Sequence, residues 1–436
     1  MAEPGKEARR TLGIAVLGLG HVGAAMAACL LEAGHRVLAV DPDATRAARV
    51  ARGQAPVHEP GVAERLARGL AAGRLAVAGR LEELAGLDLV LVCVGTPPHA
   101  GGGLALGEVE TASRTLGRLL RRRAPDLPPL LLAYRSTLPP GTMEETVLPL
   151  LETESGAPPG SSWEAVYHPE FLREGSAVAD QLAPSRIVLG ERRPGAGRRL
   201  EGLHDGLDAP LFETSFAEAE TLKLVDNGFH ALKVAFANEI GRLCVAGGVD
   251  PQAVMRLLLA DRRLNLSAAY LRPGAPFGGA CLPKDLGSLL ALGQTRGLEL
   301  PLMAGVLASN DAHLAWLEGR VRALLPPPGP LLLLGLSFKP GTDDLRASPL
   351  VRLAGRLLAA GYRLDILDPD LDPEGAPERA AGLAAPLRAC LRADLEAAAG
   401  PWRLALIGKP LPALVDRLPA DLPRLDLHRL GGTAGA

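Results

Sequence analysis

The sequence predicts an α/β protein made of two doubly wound, Rossmann-like domains joined by a long helix and a helical middle domain. Three observations predict this class. Short apolar runs alternate with helical patterns in the first third of the chain, a proline-free stretch of helical periodicity follows, and a proline-rich connector, PPPGP, leads into a second series of strands and helices. We therefore expect domains over residues 1–212, 213–325 and 326–436.

The first domain is expected to begin with a strand over residues 13–17, followed by a glycine-rich turn and by a helix that Gly34 ends. The next strand runs over residues 36–41. The apolar runs DLVLVCV (88–94) and LLLAY (130–134) lack polar alternation, which is typical of parallel strands buried on both faces. Alternation of such strands with helices predicts right-handed crossovers.

The middle and last thirds are predicted from their periodicity. Residues 217–246 contain no proline and carry apolar residues at helical spacing, so we expect one long helix, with a second over 251–260. Strands of the second α/β unit are expected over residues 331–336, 363–368 and 404–407.

Composition excludes several classes of function. The formal net charge is −2 with both signs interspersed, so neither nucleic acid nor an anionic membrane is an expected partner. The first residues contain no apolar signal segment, and no apolar run reaches the roughly 20 residues that span a bilayer. Five dispersed cysteines without a CxxC pair indicate reduced thiols in the cytoplasm and no metal site.

A glycine motif predicts the cofactor. Gly18, Gly20 and Gly23 form GxGxxG between a strand and a helix, and Asp41 ends the next strand. In this context the glycines allow a tight turn, a close approach to a pyrophosphate and close helix packing. Asp41 would accept hydrogen bonds from a ribose and repel a 2′-phosphate, which favours NAD over NADP. Arg46, close by in the sequence, is also expected at the cofactor and leaves NADP open as the alternative. The alternative is a glycine-rich turn in another Rossmann-like domain.

Two further loops lie where parallel strands end. Thr96 follows the strand DLVLVCV and Thr137 follows LLLAY. Ligands bind at the carboxyl ends of such strands, so we expect Thr96, together with Val22 of the glycine motif, at the cofactor. Ordinary capping turns are the alternative for both loops.

The segment PFGGACLPKD places Cys281 among glycines, prolines and charges, in a poor helix, strand or core sequence. The glycine pair would let a substrate approach the thiol, and Lys284 would favour the thiolate. A reactive cysteine beside an NAD site suggests oxidation at the aldehyde level: attack to a thiohemiacetal, loss of hydride, and hydrolysis of the thioester. An inert cysteine is the alternative.

Such chemistry needs an oxyanion stabiliser and a base. Lys223 and Asn227 lie one turn apart on the long predicted helix and suit the first role. Glu170 and Glu174, in HPEFLREG, suit the second. The alternative for Lys223 and Asn227 is an ordinary solvated helix face. The alternative for Glu170 and Glu174 is that they make surface contacts.

The chain resembles the UDP-glucose/GDP-mannose 6-dehydrogenase family along almost its whole length. The segments that carry the resemblance are, in chain order, GLGHVG, HEPG, VGTP, RSTLPPGT, HPEFLREG, KLVDNGFHALKVAFANEIG, FGGACLPKD and LGLSFKPGTDDLRASP. The resemblance implies a four-electron oxidation of a nucleotide-sugar C6 alcohol to the carboxylate with two NAD. It also implies an N-terminal NAD-binding domain, a central dimerisation domain with the cysteine loop, and a C-terminal nucleotide-sugar-binding domain.

The resemblance also implies roles for the reactive residues. Cys281 would be the nucleophile, and Asp285 would position a water or take up the alcohol proton. Lys223 and Asn227 would hold the oxyanion, with Lys223 also a candidate base in the first step. Glu174 would assist thioester hydrolysis, and Thr137 would support the catalytic water.

Substrate contacts follow from the same resemblance. Lys339 and Arg346 resemble residues that close over substrate and cofactor, with Arg346 on the cofactor side. The remaining expected substrate contacts are Glu170, Phe171, Leu172, Arg173, Asn265, Tyr270, Arg272, Phe277 and Gly278. The segment before the cysteine loop is most similar to the GDP-mannose branch, in which the arginine that corresponds to Arg272 can come from the neighbouring subunit. That branch implies GDP-mannose as substrate and a homodimer with shared active sites.

Three positions depart from the family pattern: His168 replaces a more common Asn, Ala269 a frequent aromatic, and Ala280 a more usual Ser. UDP-glucose or UDP-N-acetylmannosamine 6-dehydrogenase is the alternative within the family. An inactive nucleotide-sugar or NAD sensor is the alternative outside it, which the joint presence of Cys281 and its expected partners opposes.

Overall fold

The structure is a computed structural model that describes residues 11–124, 126–204, 207–262, 273–295, 297, 299–371, 373–374, 376–398 and 400–428. The chain forms two compact units, Met1–Val225 and Asp226–Ala436. The boundary between them falls inside a single long helix. Our expectation of three domains remains a prediction.

The first unit is built around one sheet. Its strands are β1 Gly13–Leu17, β2 Arg36–Val40, β3 Leu75–Ala78, β4 Leu89–Val92, β5 Leu130–Tyr134, β6 Trp163–Tyr167, β7 Ile187–Gly190 and β8 Leu211–Thr214. Its helices are α1 His21–Glu32, α2 Ala44–Ala51, α3 Val62–Ala71, α4 Gly107–Arg121, α5 Leu148–Ser155, α6 Ala177–Leu182 and α7 Arg198–His204, with a π-helical turn, Met143–Val147, before α5.

The sheet has the order β3-β2-β1-β4-β5-β6-β7-β8 and is parallel except between β6 and β7. Every residue of β1, β4, β5, β6 and β7 is buried, because separate apolar clusters cover the two faces of the sheet. The strand order reverses between β1 and β4, because the chain adds β2 and β3 on one side of β1 and β4 and β5 on the other. The loops after these strands therefore meet at the switch point where doubly wound sheets bind ligands.

Four helices follow in the described part of residues 216–324. They are α8 Phe216–Ala246, which crosses the unit boundary, α9 Pro251–Ala260, α10 Leu282–Thr295 and α11 Pro301–Leu324. Helices α8 and α9 confirm the sequence prediction, whereas α11 was not predicted. The expectation that PFGGACLPKD is entirely loop is wrong at its end. Helix α10 begins at Leu282, directly after the cysteine. Pro283 fits its first turn, because backbone N–H groups in that turn have no partner within the helix and the missing N–H of proline breaks no hydrogen bond.

The second unit contains a five-stranded parallel sheet. Its strands are β9 Pro330–Leu334, β10 Arg363–Leu367, β11 Leu391–Arg392, β12 Leu404–Ile407 and β13 Arg424–Asp426. Helices α12 Pro349–Ala359, α13 Ala385–Arg388 and α14 Pro412–Val415, with a 3₁₀ segment Pro377–Ala380, complete it. The order β11-β10-β9-β12-β13 repeats that of β3-β2-β1-β4-β5. The α/β class with two Rossmann-type sheets is thus confirmed.

In the described part of the chain, no helix combines the length and the apolar character that crossing a membrane requires.

Candidate active site

The glycine motif forms the turn between β1 and α1. Gly18 has a φ of +90°, and a Cβ there would lie 2.7 Å from the carbonyl oxygen of Cys93. A Cβ at Gly23 would lie 1.8 Å from the Gly18 carbonyl oxygen, so only glycine lets α1 pack this closely. A Cβ at Gly20 would meet nothing within 4 Å. The N-terminus of α1 therefore presents open backbone without an acidic residue in its first turn, as a pyrophosphate requires.

Asp41 follows β2 and is only 1% exposed. Its Oδ2 accepts a hydrogen bond of 2.7 Å from the Leu19 amide, and its Oδ1 accepts one from Asp43. Arg46 Nη1 lies 3.3 Å from Asp41 Oδ2. The carboxylate thus holds the glycine loop in place, and its contact with a ribose stays a prediction.

The other two expected cofactor residues of the first unit lie at the same edge. Val22, on the first turn of α1, packs partly buried against the core. Thr96 is buried after β4. Next to it, the Gly95 amide donates to Glu108 at 3.0 Å, which fixes this loop against α4.

Thr137 lies buried after β5, beside a cluster that joins β5 to β6. Arg135 Nη1 lies 2.9 Å from His168 Nε2, and Arg135 Nη2 lies 3.4 Å from Gln181 Oε1. Burial, together with the charges of Arg135 and His204, holds the pKa of His168 well below its usual range. A neutral His168 can accept the arginine hydrogen bond, which explains the histidine before Pro169 in physical terms.

Glu170 and Lys223 form a buried ion pair. Glu170 Oε1 lies 2.9 Å from Lys223 Nζ, and Glu170 Oε2 accepts 2.7 Å from the Leu172 amide. Burial raises the pKa of Glu170, but the charge and hydrogen bond of Lys223 and the Leu172 amide outweigh it, and the net shift is downward. The carboxylate therefore stays ionised and favours the ammonium form of Lys223.

Phe171, Leu172 and Arg173, which follow Glu170, each contact other side chains of the first unit. Phe171 lies under the Arg186 guanidinium, 4.1 Å from its ring centroid. Leu172 packs against the core of the first sheet. Arg173 Nη2 pairs with Asp180 Oδ1 at 2.6 Å. Contacts of these residues with a substrate remain predictions.

Glu174 lies close to the cofactor loop. Its Oε1 is 3.8 Å from Nδ1 of His21, the first residue of α1. The HEPG motif supports this loop, because Glu59 accepts from the Gly175 and Ala177 amides, each at 2.8 Å. A carboxylate expected to act on the thioester thus lies beside the glycine turn.

In the second unit, side chains from α8 and α11 pin the segment before Cys281. The Asn310 amide group accepts from Phe277 N at 2.9 Å and donates to Phe277 O at 3.0 Å. Asn238 Oδ1 accepts 2.8 Å from Gly274 N. The Gly274 carbonyl lies 2.6 Å from His313 Nε2, and burial lowers the pKa of His313 to about 4. The loop has no regular structure, yet fixed partners satisfy its backbone.

Cys281 is partly exposed and directly precedes α10. Its carbonyl accepts the Asp285 amide at 2.9 Å, as an N-cap residue does. The partial positive charge of a helix N-terminus stabilises a thiolate. Helix α10 therefore provides a physical reason for a reactive thiol at this position.

Asn227 and Asp285 are brought together beside this helix start. Asn227 Nδ2 donates to Asp285 Oδ2, and Lys284 Nζ lies 3.5 Å from Asp285 Oδ1. Asp285 is fully buried. The carboxylate of Asp285 thus accepts a hydrogen bond from the Asn227 amide and pairs with the Lys284 ammonium.

The glycine pair before the cysteine permits contact with the segment before α12. A Cβ at Gly278 would lie 2.5 Å from the Ala347 carbonyl oxygen. Gly279 has a φ of +83°, and a Cβ there would lie 3.0 Å from the Phe338 ring. The close approach that we expected to serve a substrate is therefore also needed by the protein itself.

Lys339 and Arg346 both lie in this segment. Lys339 Nζ is 5.3 Å from the centroid of the Phe338 ring. Arg346 is exposed and forms two parallel contacts with Asp344, at 2.9 Å and 2.7 Å. Their predicted roles at substrate and cofactor remain predictions.

Four residues named from the sequence, Asn265, Ala269, Tyr270 and Arg272, lie outside the described residues. Among the residues that are described, no group of three or more His, Cys, Asp or Glu side chains is arranged to hold a metal ion.

Several supporting residues escaped the sequence analysis. Glu220, one turn before Lys223, accepts the Gly141 and Met143 amides at 2.7 and 2.8 Å, and burial raises its pKa to about 7. It anchors the loop that carries Thr137. Asn310 and His313 are polar residues at helical spacing with the buried apolar residues Val306, Leu317 and Val321 of α11, a signal that would have identified them. Glu59 was visible in HEPG without an assigned role.

Family models match three consecutive parts of the chain. Residues 12–208 match the NAD binding domain of the UDP-glucose/GDP-mannose dehydrogenase family, residues 217–312 its central domain, and residues 332–403 its UDP binding domain.

Individual proteins are similar as well. GDP-mannose 6-dehydrogenase of Azotobacter vinelandii is 40% identical over 361 residues, covering 82% of this chain and 81% of its own. A UDP-glucose dehydrogenase structure from Pyrobaculum islandicum is similar with a TM-score of 0.89 at 33% identity. The match covers 98% of this chain and 96% of that one. A ternary complex of GDP-mannose dehydrogenase from Pseudomonas aeruginosa has a TM-score of 0.57 at 36% identity and covers 95% and 96%.

Proposed function

The chain belongs to the UDP-glucose/GDP-mannose dehydrogenase family, and we propose that its substrate is GDP-mannose, which it oxidises at C6 to GDP-mannuronate. It is an NAD-dependent nucleotide-sugar 6-dehydrogenase. The observation that carries the choice of sugar is the 40% identity to a GDP-mannose 6-dehydrogenase. UDP-glucose is the second candidate, favoured by the TM-score of 0.89 to a UDP-glucose dehydrogenase.

The glycine turn fits NAD. The N-terminus of α1 is open at Gly20, and the carboxylate of Asp41 accepts a hydrogen bond from the Leu19 amide of the turn. Bound at this turn, NAD would supply the hydride acceptor for each of the two oxidations. Gly20 and the N-terminus of α1 would hold the pyrophosphate, Gly18 and Gly23 permit the turn and the helix packing that bring them there, and Asp41 disfavours a 2′-phosphate through its charge.

Cys281 is the proposed nucleophile. The C6 alcohol first loses a hydride and its hydroxyl proton, which gives an aldehyde. The thiolate then forms a C–S bond to the aldehyde carbon, and the carbonyl oxygen becomes the oxyanion of a thiohemiacetal. Loss of a second hydride from this carbon leaves a thioester. Water adds to the thioester, the C–S bond breaks, and the thiolate is regenerated as the carboxylate forms.

We assign oxyanion stabilisation to Lys223 and Asn227. Lys223 is held as an ammonium by Glu170, and an ammonium is a donor that strengthens as negative charge develops on oxygen. The same ion pair favours electrostatic stabilisation over proton abstraction by Lys223 in the first step. Asp285, bonded to Asn227, is the proposed partner that orients a water or takes up the alcohol proton.

Hydrolysis is assigned to Glu174 and Thr137. A carboxylate can accept a proton from water as it attacks the thioester carbon, and the Thr137 hydroxyl can orient that water. The proton accepted by Glu174 then passes to solvent.

The proposal is tested by following NADH formation with equal concentrations of GDP-mannose, UDP-glucose and UDP-N-acetylmannosamine. We expect two NADH per GDP-mannose and little from the UDP-sugars. Turnover of a UDP-sugar instead would overturn the substrate, and no turnover with any of the three would favour the sensor alternative. A Cys281→Ser variant should form no carboxylate, and full carboxylate formation by this variant would contradict the covalent mechanism.

We also propose a homodimer formed through α8. Val225, Phe229 and Phe236 lie on one side of this helix and are 49%, 38% and 44% exposed. Exposed apolar side chains at helical spacing fit a second copy of the same face, because a two-fold interface is self-complementary.

Light scattering during gel filtration tests the dimer. We expect twice the chain mass for the protein and the chain mass for Phe236→Glu, which places a charge in the apolar face. Leu302→Glu, at an exposed position on α11, is the matched control and should leave the mass unchanged. A monomeric unsubstituted protein would refute the proposal. We further propose that the protein is cytoplasmic. Its five free cysteines support this location, because a reducing compartment keeps thiols unpaired.

A further inference from the structure

Lys409 is a fully buried lysine at the carboxyl end of β12, and its exposed fraction is 0%. Its Nζ lies 2.6 Å from Asp368 Oδ1, 2.6 Å from Asp370 Oδ2 and 2.7 Å from Ser337 Oγ. Three acceptors match the three protons of an ammonium. The chain contains 41 arginines and only six lysines, so a lysine here is a compositional exception.

The two carboxylates bound by Lys409 also hold the loop after β9. Asp368 Oδ2 accepts from the Leu336 amide at 2.7 Å and from the Ser337 amide at 2.9 Å. Asp370 Oδ2 accepts from the Gly341 amide at 3.1 Å. The Ser337 hydroxyl donates in turn to the Lys339 carbonyl at 3.3 Å. One ammonium therefore links the acceptors that fix residues 336–341.

The first unit shows what is distinctive about this arrangement. Asp41 occupies the position of Asp368 and binds the equivalent loop amide at 2.7 Å. There the cation is Arg46, whose side chain is 40% exposed. In the second unit the cation is Lys409, which follows the inner strand β12 and is fully buried.

The stem of Lys409 packs against the turn itself. Gly335 has a φ of +92°, and a Cβ there would lie 2.5 Å from Lys409 Cγ. The absence of a side chain at Gly335 makes room for the aliphatic stem of Lys409, and the three acceptors suit a compact ammonium.

We propose that Lys409 is a positioning residue that holds residues 336–341, and with them Lys339, in the conformation that binds the nucleotide of the substrate. The ammonium offsets the repulsion between the buried carboxylate of Asp368 and the partly buried carboxylate of Asp370, so both stay bonded to the loop amides, whereas loss of the ammonium leaves like charges facing each other. The binding part of this inference rests on the proposed function, and the loop-holding part does not.

The test uses the full-length Lys409→Met variant and two measurements. Hydrogen exchange should accelerate at least tenfold at the amides of residues 336–341 and remain unchanged in the first sheet. The KM for the nucleotide sugar should rise at least tenfold, whereas kcat and the KM for NAD should change less than twofold. GDP and UDP titrations by calorimetry report nucleotide affinity without turnover. Arg403→Met, an exposed site beside β12, is the matched control and should behave as the unsubstituted protein.

A second variant separates positioning from folding. Lys409→Met with Asp370→Asn removes one negative charge together with the positive one, and should keep the slow exchange of strands β9, β10 and β12. Fast exchange throughout that sheet in the double variant would overturn the positioning role, because Lys409 would then be needed for the fold.

The remaining outcomes are equally decisive. Unchanged exchange at residues 336–341 in Lys409→Met would overturn the inference, whatever the substrate. Faster exchange with unaltered nucleotide affinity and KM would overturn the link to binding. If the unsubstituted protein bound neither GDP nor UDP, the proposed function and the binding link would both fail, and the exchange data would still decide whether Lys409 holds the loop.

Discussion

Lys223 shows how a single residue receives its chemistry from a neighbour. The sequence indicates only a lysine on a helix, one turn before Asn227. The structure pairs it with a buried Glu170 carboxylate at 2.9 Å, which keeps the side chain charged and fixes its direction. The ion pair therefore supports the proposed role of Lys223 in stabilising an oxyanion.

Replacing this lysine tests that role. We expect Lys223→Met to lower kcat by roughly 10²–10³-fold, the usual effect of removing one oxyanion donor, with little change in the KM for NAD. Lys233→Met, ten residues further along α8, is the matched control and should retain near-normal kcat. Equal losses in both variants would indicate damage to the helix rather than loss of the donor.

Three buried histidines give the stability a pH dependence. Burial lowers the pKa of His204 and of His313 to about 4 and that of His168 well below its usual range. The unfolded chain binds these protons near pH 6.5 and the folded protein does not, so their contribution is complete above pH 6.5 and is lost as pH falls toward 4.

We therefore expect the free energy of unfolding to fall between pH 7 and pH 4. His313→Gln should reduce this fall by about 3 kcal/mol, the value of a shift of about 2.5 pKa units, because glutamine does not titrate. Urea unfolding at pH 7, 6, 5 and 4 measures the change. A slope unaltered by the substitution would show that His313 is protonated in the folded protein.

At the scale of elements, helices α8 and α11 order a loop that has no structure of its own. Asn238, Asn310 and His313 supply the hydrogen bonds that a strand neighbour would otherwise provide for residues 274–277. Helix α10 then begins directly after Cys281. The position of the thiol is thus set by the loop on one side and the helix start on the other.

Asn310→Ala removes both hydrogen bonds to Phe277. We expect the free energy of unfolding to fall by about 1–3 kcal/mol, because the buried Phe277 amide and carbonyl lose their partner, and kcat to fall with it. Gln294→Ala, an exposed amide on the last turn of α10, should change neither quantity. A stable variant with unaltered kcat would show that the loop is held by packing alone.

At the scale of the whole molecule, the two compact units have separate apolar cores. Among the described residues, the clusters on the two faces of the first sheet contain only residues of the first unit, and those of the five-stranded sheet only residues of the second. A chain of this kind is not expected to unfold in one cooperative step.

Calorimetry with single ligands should separate the units. We expect NAD at about 100 times its Kd to stabilise one transition by about 2.7 kcal/mol, and GDP at a similar excess to stabilise the other, because each ligand binds one folded unit. One transition shifted by either ligand would show that the units unfold together.

Much of the fold was predictable because buried parallel strands and long helices have strong local patterns. Strands over residues 13–17, 130–134 and 404–407 and helix α9 were predicted with the bounds observed. The sequence patterns do not predict helix α11, and they assign the first residues of α10 to a loop. Glycine, proline and cysteine at its start obscure a helix whose stability comes from packing of Leu286 against Phe277 and Val306.

The sequence by itself determined the fold class, the glycine turn for NAD and the reactive residue types, because turns, periodicity and motif order are local properties. Only the tertiary structure decided which charges meet. Glu170 pairs with Lys223 across 53 residues, Glu59 holds the Glu174 loop across 116, and Lys409 holds the loop after β9 across 72. Buried charges need partners, and such partners come from distant parts of the chain that folding brings together.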